Sequence, residues 1–92
     1  MTDQPRNKDE EAQEKQRAHF ERARKSVLQF LKDKGGKLSM AEMHDYSLMK
    51  FLIQHQAFSR MMETFVSEGL VEFDNDTYAV TLTEEGYKFI NP

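Results

Sequence analysis

The stretch "GLVEFDNDTYAVTLTEEGYKF", residues 69–89, decides how this chain folds. Val71, Phe73, Tyr78, Val80 and Leu82 alternate with Glu72, Ala79 and Thr81, which is the period of half-buried strands. Asn75 and Asp76 tolerate positive φ, so a two-residue turn is expected between the strands. That turn pairs Asp74 with Thr77, Phe73 with Tyr78 and Val71 with Val80. Ahead of the hairpin, Gly69 can take the left-handed position that ends a helix, with Leu70 packing back on its last turn. Behind it, Thr83 is placed to cap another helix, and Glu84 and Glu85 fall in the first turn, where the dipole favours negative charge. Tyr87, Phe89 and Ile90 return this last helix to the body of the domain.

Upstream, Phe58, Met61, Met62, Phe65 and Val66 recur at helical spacing and predict a helix over about residues 56–68. Ala57, Ser59, Arg60, Glu63, Thr64 and Ser67 largely fill its other face. Before it, Ser39 and Glu42 in "LSMAE" make a capping box, with Leu38 placed as a staple on Met43, so a short helix over about residues 40–46 is expected. "SLMKFLI", residues 47–53, either caps a new turn at Ser47 or continues that helix, and carries more apolar surface than one small helix needs. Leu48, Met49, Phe51 and Ile53 are therefore candidates for a partner interface. Five of the six methionines lie between Met40 and Met62, and flexible core filling is their simplest use.

The first helix is expected over Ala18 to Lys34, with Phe20, Ala23, Val27, Phe30 and Leu31 on one face and Arg22, Lys25, Gln29 and Lys32 opposite. "KDKGG" stops it, with Gly35 as the left-handed cap. Residues 1–17 contain one apolar side chain after Met1, Ala12, and are expected to form a disordered or frayed charged arm. Their Glu, Lys, Gln and Ala content would extend the first helix if a partner covered it.

A chain of 92 residues supports one domain, here residues 18–92 behind the arm, and leaves little room for an enclosed active site. It has no cysteine, which removes disulfides, thiolate zinc sites and cysteine nucleophiles. The apolar runs are too short for a membrane span and the first twenty residues are polar, so a soluble, cytoplasmic protein is expected. His19, His44 and His55 form no pair at helical spacing, so no metal site is expected. His44, Asp45 and Ser47 lie too close on one helical turn for a hydrolytic triad. There is no glycine-rich phosphate loop, and no enzyme activity or cofactor is expected.

The net charge of −3 conceals a division: residues 18–37 hold six basic and two acidic side chains, whereas residues 61–92 hold one basic and seven acidic. Nucleic-acid binders draw much of their affinity from cations that displace counterions, and the C-terminal third carries the opposite sign.

The wording "MMETFVSEGLVEF…YAVTLTEEGYKFI" resembles the winged-helix repressors of the MarR and PadR families over roughly Arg24 to Ile90. The resemblance implies an α+β, mostly α fold: a winged helix with a three-helix core, a two-stranded hairpin as the wing and a short C-terminal helix. It implies a small DNA-binding regulator or accessory factor, most simply a homodimer, whose third helix reads the major groove. The residues so placed are Gln54, His55, Gln56, Ser59, Arg60, Glu63 and Thr64, with Arg60 suited to guanine and Gln56 to adenine. The chain departs from the family at the hairpin tip, where Asp74, Asn75 and Asp76 replace the usual Lys or Arg, and in one extra helical turn near "SLMKFLI". The alternative is a winged-helix protein-interaction module with little DNA affinity, whose acidic wing suits a partner with a basic surface.

Overall fold

The computed structural model describes residues 8–91, with side chains from residue 11 onward. The fold is α+β and mostly helical, with four helices and a three-stranded antiparallel sheet, compatible with a winged helix. Helix α1 (Lys8–Asp33) leads into strand β1 (Lys37–Ser39), followed by helices α2 (Met40–Phe51) and α3 (His55–Ser67). Strands β2 (Val71–Phe73) and β3 (Ala79–Leu82) form the hairpin, and helix α4 (Glu84–Ile90) closes the chain.

Three of the expected helix boundaries rest on local chemistry that the structure displays. Gly35 (φ +100°) ends α1, with the Gly36 N–H donating to the Leu31 carbonyl at 2.8 Å and the Gly35 N–H to that of Lys32 at 3.0 Å. Gly69 (φ +74°) ends α3 in the same way, through Leu70 N–H to Phe65 at 2.8 Å and Gly69 N–H to Val66 at 3.0 Å. Both are the paired hydrogen bonds of a Schellman ending. The capping box at α2 is complete, with the Glu42 N–H donating to Ser39 Oγ at 3.1 Å and the Ser39 N–H to the Glu42 carboxylate at 3.3 Å.

Thr83 caps α4 by accepting from the Gly86 N–H at 3.0 Å, and its hydroxyl donates to the Gly69 carbonyl at 2.6 Å. One side chain thus ties the start of α4 to the end of α3. Gly86 lies in this joint, where a Cβ would run into the Leu70 carbonyl oxygen, so the close approach of α4 to the turn requires glycine.

Four expectations are corrected. The charged arm was expected to run to residue 17, but residues 8–17 are helical and continue α1, whereas residues 1–7 lie outside the described residues. These residues are good helix formers, and extending a helix that is already packed avoids the cost of nucleating a new one. Helix α2, expected over about residues 40–46, runs on to Phe51, which is the continuous-helix reading of the two given for "SLMKFLI", and Ser47 is buried with its hydroxyl donating to the Met43 carbonyl at 2.9 Å. Strand β1 was not expected. Its residue Leu38, read as a staple, pairs with Val80 across the β1–β3 ladder, which gives the sheet the order β1-β3-β2.

The hairpin register also differs. Val71 pairs with Leu82, Glu72 with Thr81 and Phe73 with Val80, two residues away from the register of a two-residue turn. The Asp74 carboxylate makes the difference: it accepts from the Asp76 N–H at 2.8 Å and the Thr77 N–H at 3.2 Å. Tyr78 takes a left-handed φ of 60°, and Asn75–Tyr78 become the loop between Asp74 and Ala79, whose backbones bond at 2.9 Å. A slip of two preserves the alternation, so Val71, Val80 and Leu82 still point into the core while Tyr78 leaves it.

The core gathers Ala23, Val27, Leu28 and Leu31 of α1, Met43 of α2, and Phe58, Met61, Met62 and Phe65 of α3 over the sheet residues Val71, Val80 and Leu82. Arg24 is buried among them. Its guanidinium donates to Glu21 at 3.1 Å and to Glu68 at 2.7 Å, and lies over the rings of Phe65 and Phe89.

Candidate interaction face on helix α3

Helix α3 turns Phe58, Met61, Met62 and Phe65 to the core, and the side chains on its remaining surface decide what the domain can hold. The residues expected to read DNA share the exposed side of α3 and line two adjoining depressions. His55, Ser59 and Glu63 face α2 and the hairpin, whereas Arg60 and Thr64 face α1. Gln54 is the N-cap residue of α3 and, like Gln56, is exposed. Glu63, three residues from Arg60, makes no ion pair with it among the described residues.

The first depression is a groove of about 680 Å³. Met40, Ala41 and His44 of α2 form one wall, and Phe73 of β2 lines it from the hairpin. His55, Phe58, Ser59 and Met62 of α3 lie along it with Glu63, Val66 and Ser67. Val66, expected in the buried stripe, is 48% exposed because it belongs to this groove rather than to the core. Among the described residues the lining contains no lysine or arginine, and its one carboxylate is that of Glu63. The His44 ring lies 4.8 Å from that of Phe58 and 5.6 Å from that of His55. Its Nε2 is buried without a hydrogen-bond partner among the described residues, a state that costs about 1–3 kcal/mol unless something supplies a partner.

The hairpin adds negative charge near Phe73. Backbone N–H groups of Asp76 and Thr77 hold the Asp74 carboxyl below its ordinary pKa of 3.8, with a smaller contribution from Lys37 of β1. Asp74 is thus ionised for a structural reason, and the turn that a two-residue reading assigned to Asn75 and Asp76 is organised by its side chain. Lys37 is the nearby cation that the sequence order hides, since it lies 37 residues before Asp74 and reaches the hairpin through β1.

The candidate partner patch divides as well. Met49 is 84% exposed and Leu48 40%, but Ile53 is a core residue and does not belong to a partner surface. Phe51 is half-buried, with its ring 5.8 Å from His19, and its carbonyl lies 3.2 Å from His19 Nε2. Leu52, outside the expected set, is 78% exposed and holds a left-handed conformation (φ 57°, ψ 33°) at the end of α2. Alternation along α2 did not reveal it, because the helix ends one residue earlier.

Among the described residues no group of three or more His, Asp or Glu side chains converges as a metal site, and no helix is long and apolar enough to cross a membrane. Comparisons with protein-family models, curated proteins and solved structures give no match to this chain.

Proposed function

We propose that this chain is a winged-helix protein-interaction module that docks a partner's apolar segment, flanked by basic residues, in the groove between α2, α3 and β2. The order helix, strand, helix, helix, hairpin, with β1 beside β3, supports the winged-helix reading. The observation that carries the function is the groove itself: on the side of α3 that faces α2 and the hairpin, the described lining is largely apolar and holds no lysine or arginine. A DNA-reading face needs cations for the phosphates and polar side chains for the base edges. An apolar trough with a carboxylate in its wall and an ionised Asp74 on the adjoining hairpin favours the opposite ligand, a hydrophobic segment with lysine or arginine at its margins.

Against DNA reading stands the charge of α3, in which Arg60 is the single lysine or arginine and the groove beside it is apolar. The test is calorimetric titration of a partner captured from the source cell and then purified. Val66→Glu places a second carboxylate in the groove wall at a half-exposed position, and a loss of at least about tenfold in affinity is expected, equivalent to about 1.4 kcal/mol. Equal affinity for the wild type and the variant would contradict a role for the groove.

A further inference from the structure

The other side of α3 carries different chemistry. Along the α1 stripe that meets α3, Arg24 is neutralised by Glu21 and Glu68, as a buried guanidinium requires. Two turns earlier, Arg17 faces a shallow cleft of about 460 Å³ together with Arg60 of α3. Neither Arg17 nor Arg60 has an acidic partner among the described residues, and none of the described residues lining the cleft is acidic. Arg17 and Arg60 line the same cleft, so both can reach an anion lodged there, and the planar fork of a guanidinium matches the oxygens of a phosphate. Phe20 supplies a half-buried ring in the same cleft, and Gln13 and Gln16 supply exposed amides. The Thr64 hydroxyl donates to its own helix, at 2.7 Å from the Met61 carbonyl, so the donors available to a ligand come from the arginines and glutamines.

We infer that this cleft binds single-stranded nucleic acid, with a backbone phosphate between Arg17 and Arg60 and a base against Phe20. Cations beside an aromatic ring are the combination that holds unpaired strands, because every base has a face to stack and every nucleotide a phosphate. A duplex presents phosphates but keeps its base faces covered, so it would use the arginines and leave Phe20 idle. The assignment does not rest on the apolar groove, which lies on the other side of α3. A chain using both surfaces would join a protein partner to an unpaired strand.

Fluorescence anisotropy with a labelled single strand of about 15 nucleotides tests it, at a series of salt concentrations. Binding by the wild type is expected to weaken with salt. Arg17→Ala and Arg60→Ala should each cost several-fold in affinity and lower the log–log salt slope by about 0.7, and the double variant should lose both contributions. Phe20→Leu should weaken binding and leave the slope unchanged, and Val66→Glu should leave binding intact, which separates this site from the groove. Circular dichroism establishes that each variant is folded, and the exposed arginines keep the test decisive if Phe20→Leu unfolds. Absence of binding at low salt would overturn the inference, as would a double variant that binds like the wild type. Equal binding of single strand and duplex, insensitive to Phe20→Leu, would overturn the assignment to unpaired strands.

Discussion

Asp74 joins the sequence, the turn and the surface charge in one carboxylate. Its oxygen accepts two backbone N–H groups, which makes the hairpin loop two residues longer than a tight turn and keeps the group ionised. Because the folded-state pKa lies below 3.8, the ionised group contributes stability that is complete above the unfolded value and is lost as pH falls through the depressed one. Asp74→Asn retains an oxygen acceptor for the turn and removes the titration. Thermal unfolding followed between about pH 5 and pH 2 should therefore show a smaller acid loss in the variant than in the wild type. Parallel pH profiles would mean that this carboxylate is not held by the turn. The sequence marks Asp74, Asn75 and Asp76 together as turn formers, and only the backbone hydrogen bonds single out the first of them.

At the scale of the elements, what was legible had local causes. Ser39 with Glu42, Gly35, Gly69 and Thr83 each act within a few residues of the backbone groups they satisfy, and each lies where the spacing places it. The apolar stripe of α3 was legible for the same reason, except Val66, whose exposure depends on the distance to α2 and β2. Strand β1 was not legible because three residues with one apolar side chain carry no period; it forms because β3 has an open edge to pair with. The pairing of Arg24 with Glu68 spans 44 residues and has no local signature. Leu52 shows a conflict within an element, since a bulky residue in the left-handed region costs about 1–2 kcal/mol and its side chain is 78% exposed. Leu52→Gly should raise the denaturation midpoint by an amount corresponding to about 0.5–1 kcal/mol, since glycine takes this conformation freely but loses more entropy on folding. A lowered midpoint would show that the Leu52 side chain contributes packing that outweighs its strain.

Over the whole molecule, α3 separates two surfaces of different character. Toward α2 and the hairpin lies an apolar groove with negative charge beside it, and toward α1 lies a cleft with two arginines that have no acidic partner among the described residues. The segment charges anticipated this in outline, with an acidic C-terminal third behind a basic stretch. The sequence did not show that Arg60 belongs with Arg17 rather than with Glu63, because that depends on α1 continuing as a helix past residue 17 toward its start at Lys8. The resemblance to DNA-reading repressors concerns the elements, whereas the proposed peptide-docking groove concerns the side chains on the helix α3 surface. The most direct measurement of that claim is a pair of backbone amide NMR titrations, one with a basic amphipathic helical peptide and one with duplex DNA. The peptide is expected to shift Ala41, His44, Ser59 and Val66 in the wild type and to leave the groove residues unshifted in Val66→Glu. Shifts confined to the DNA titration and running through Gln56, Ser59, Glu63 and the hairpin tip would contradict it.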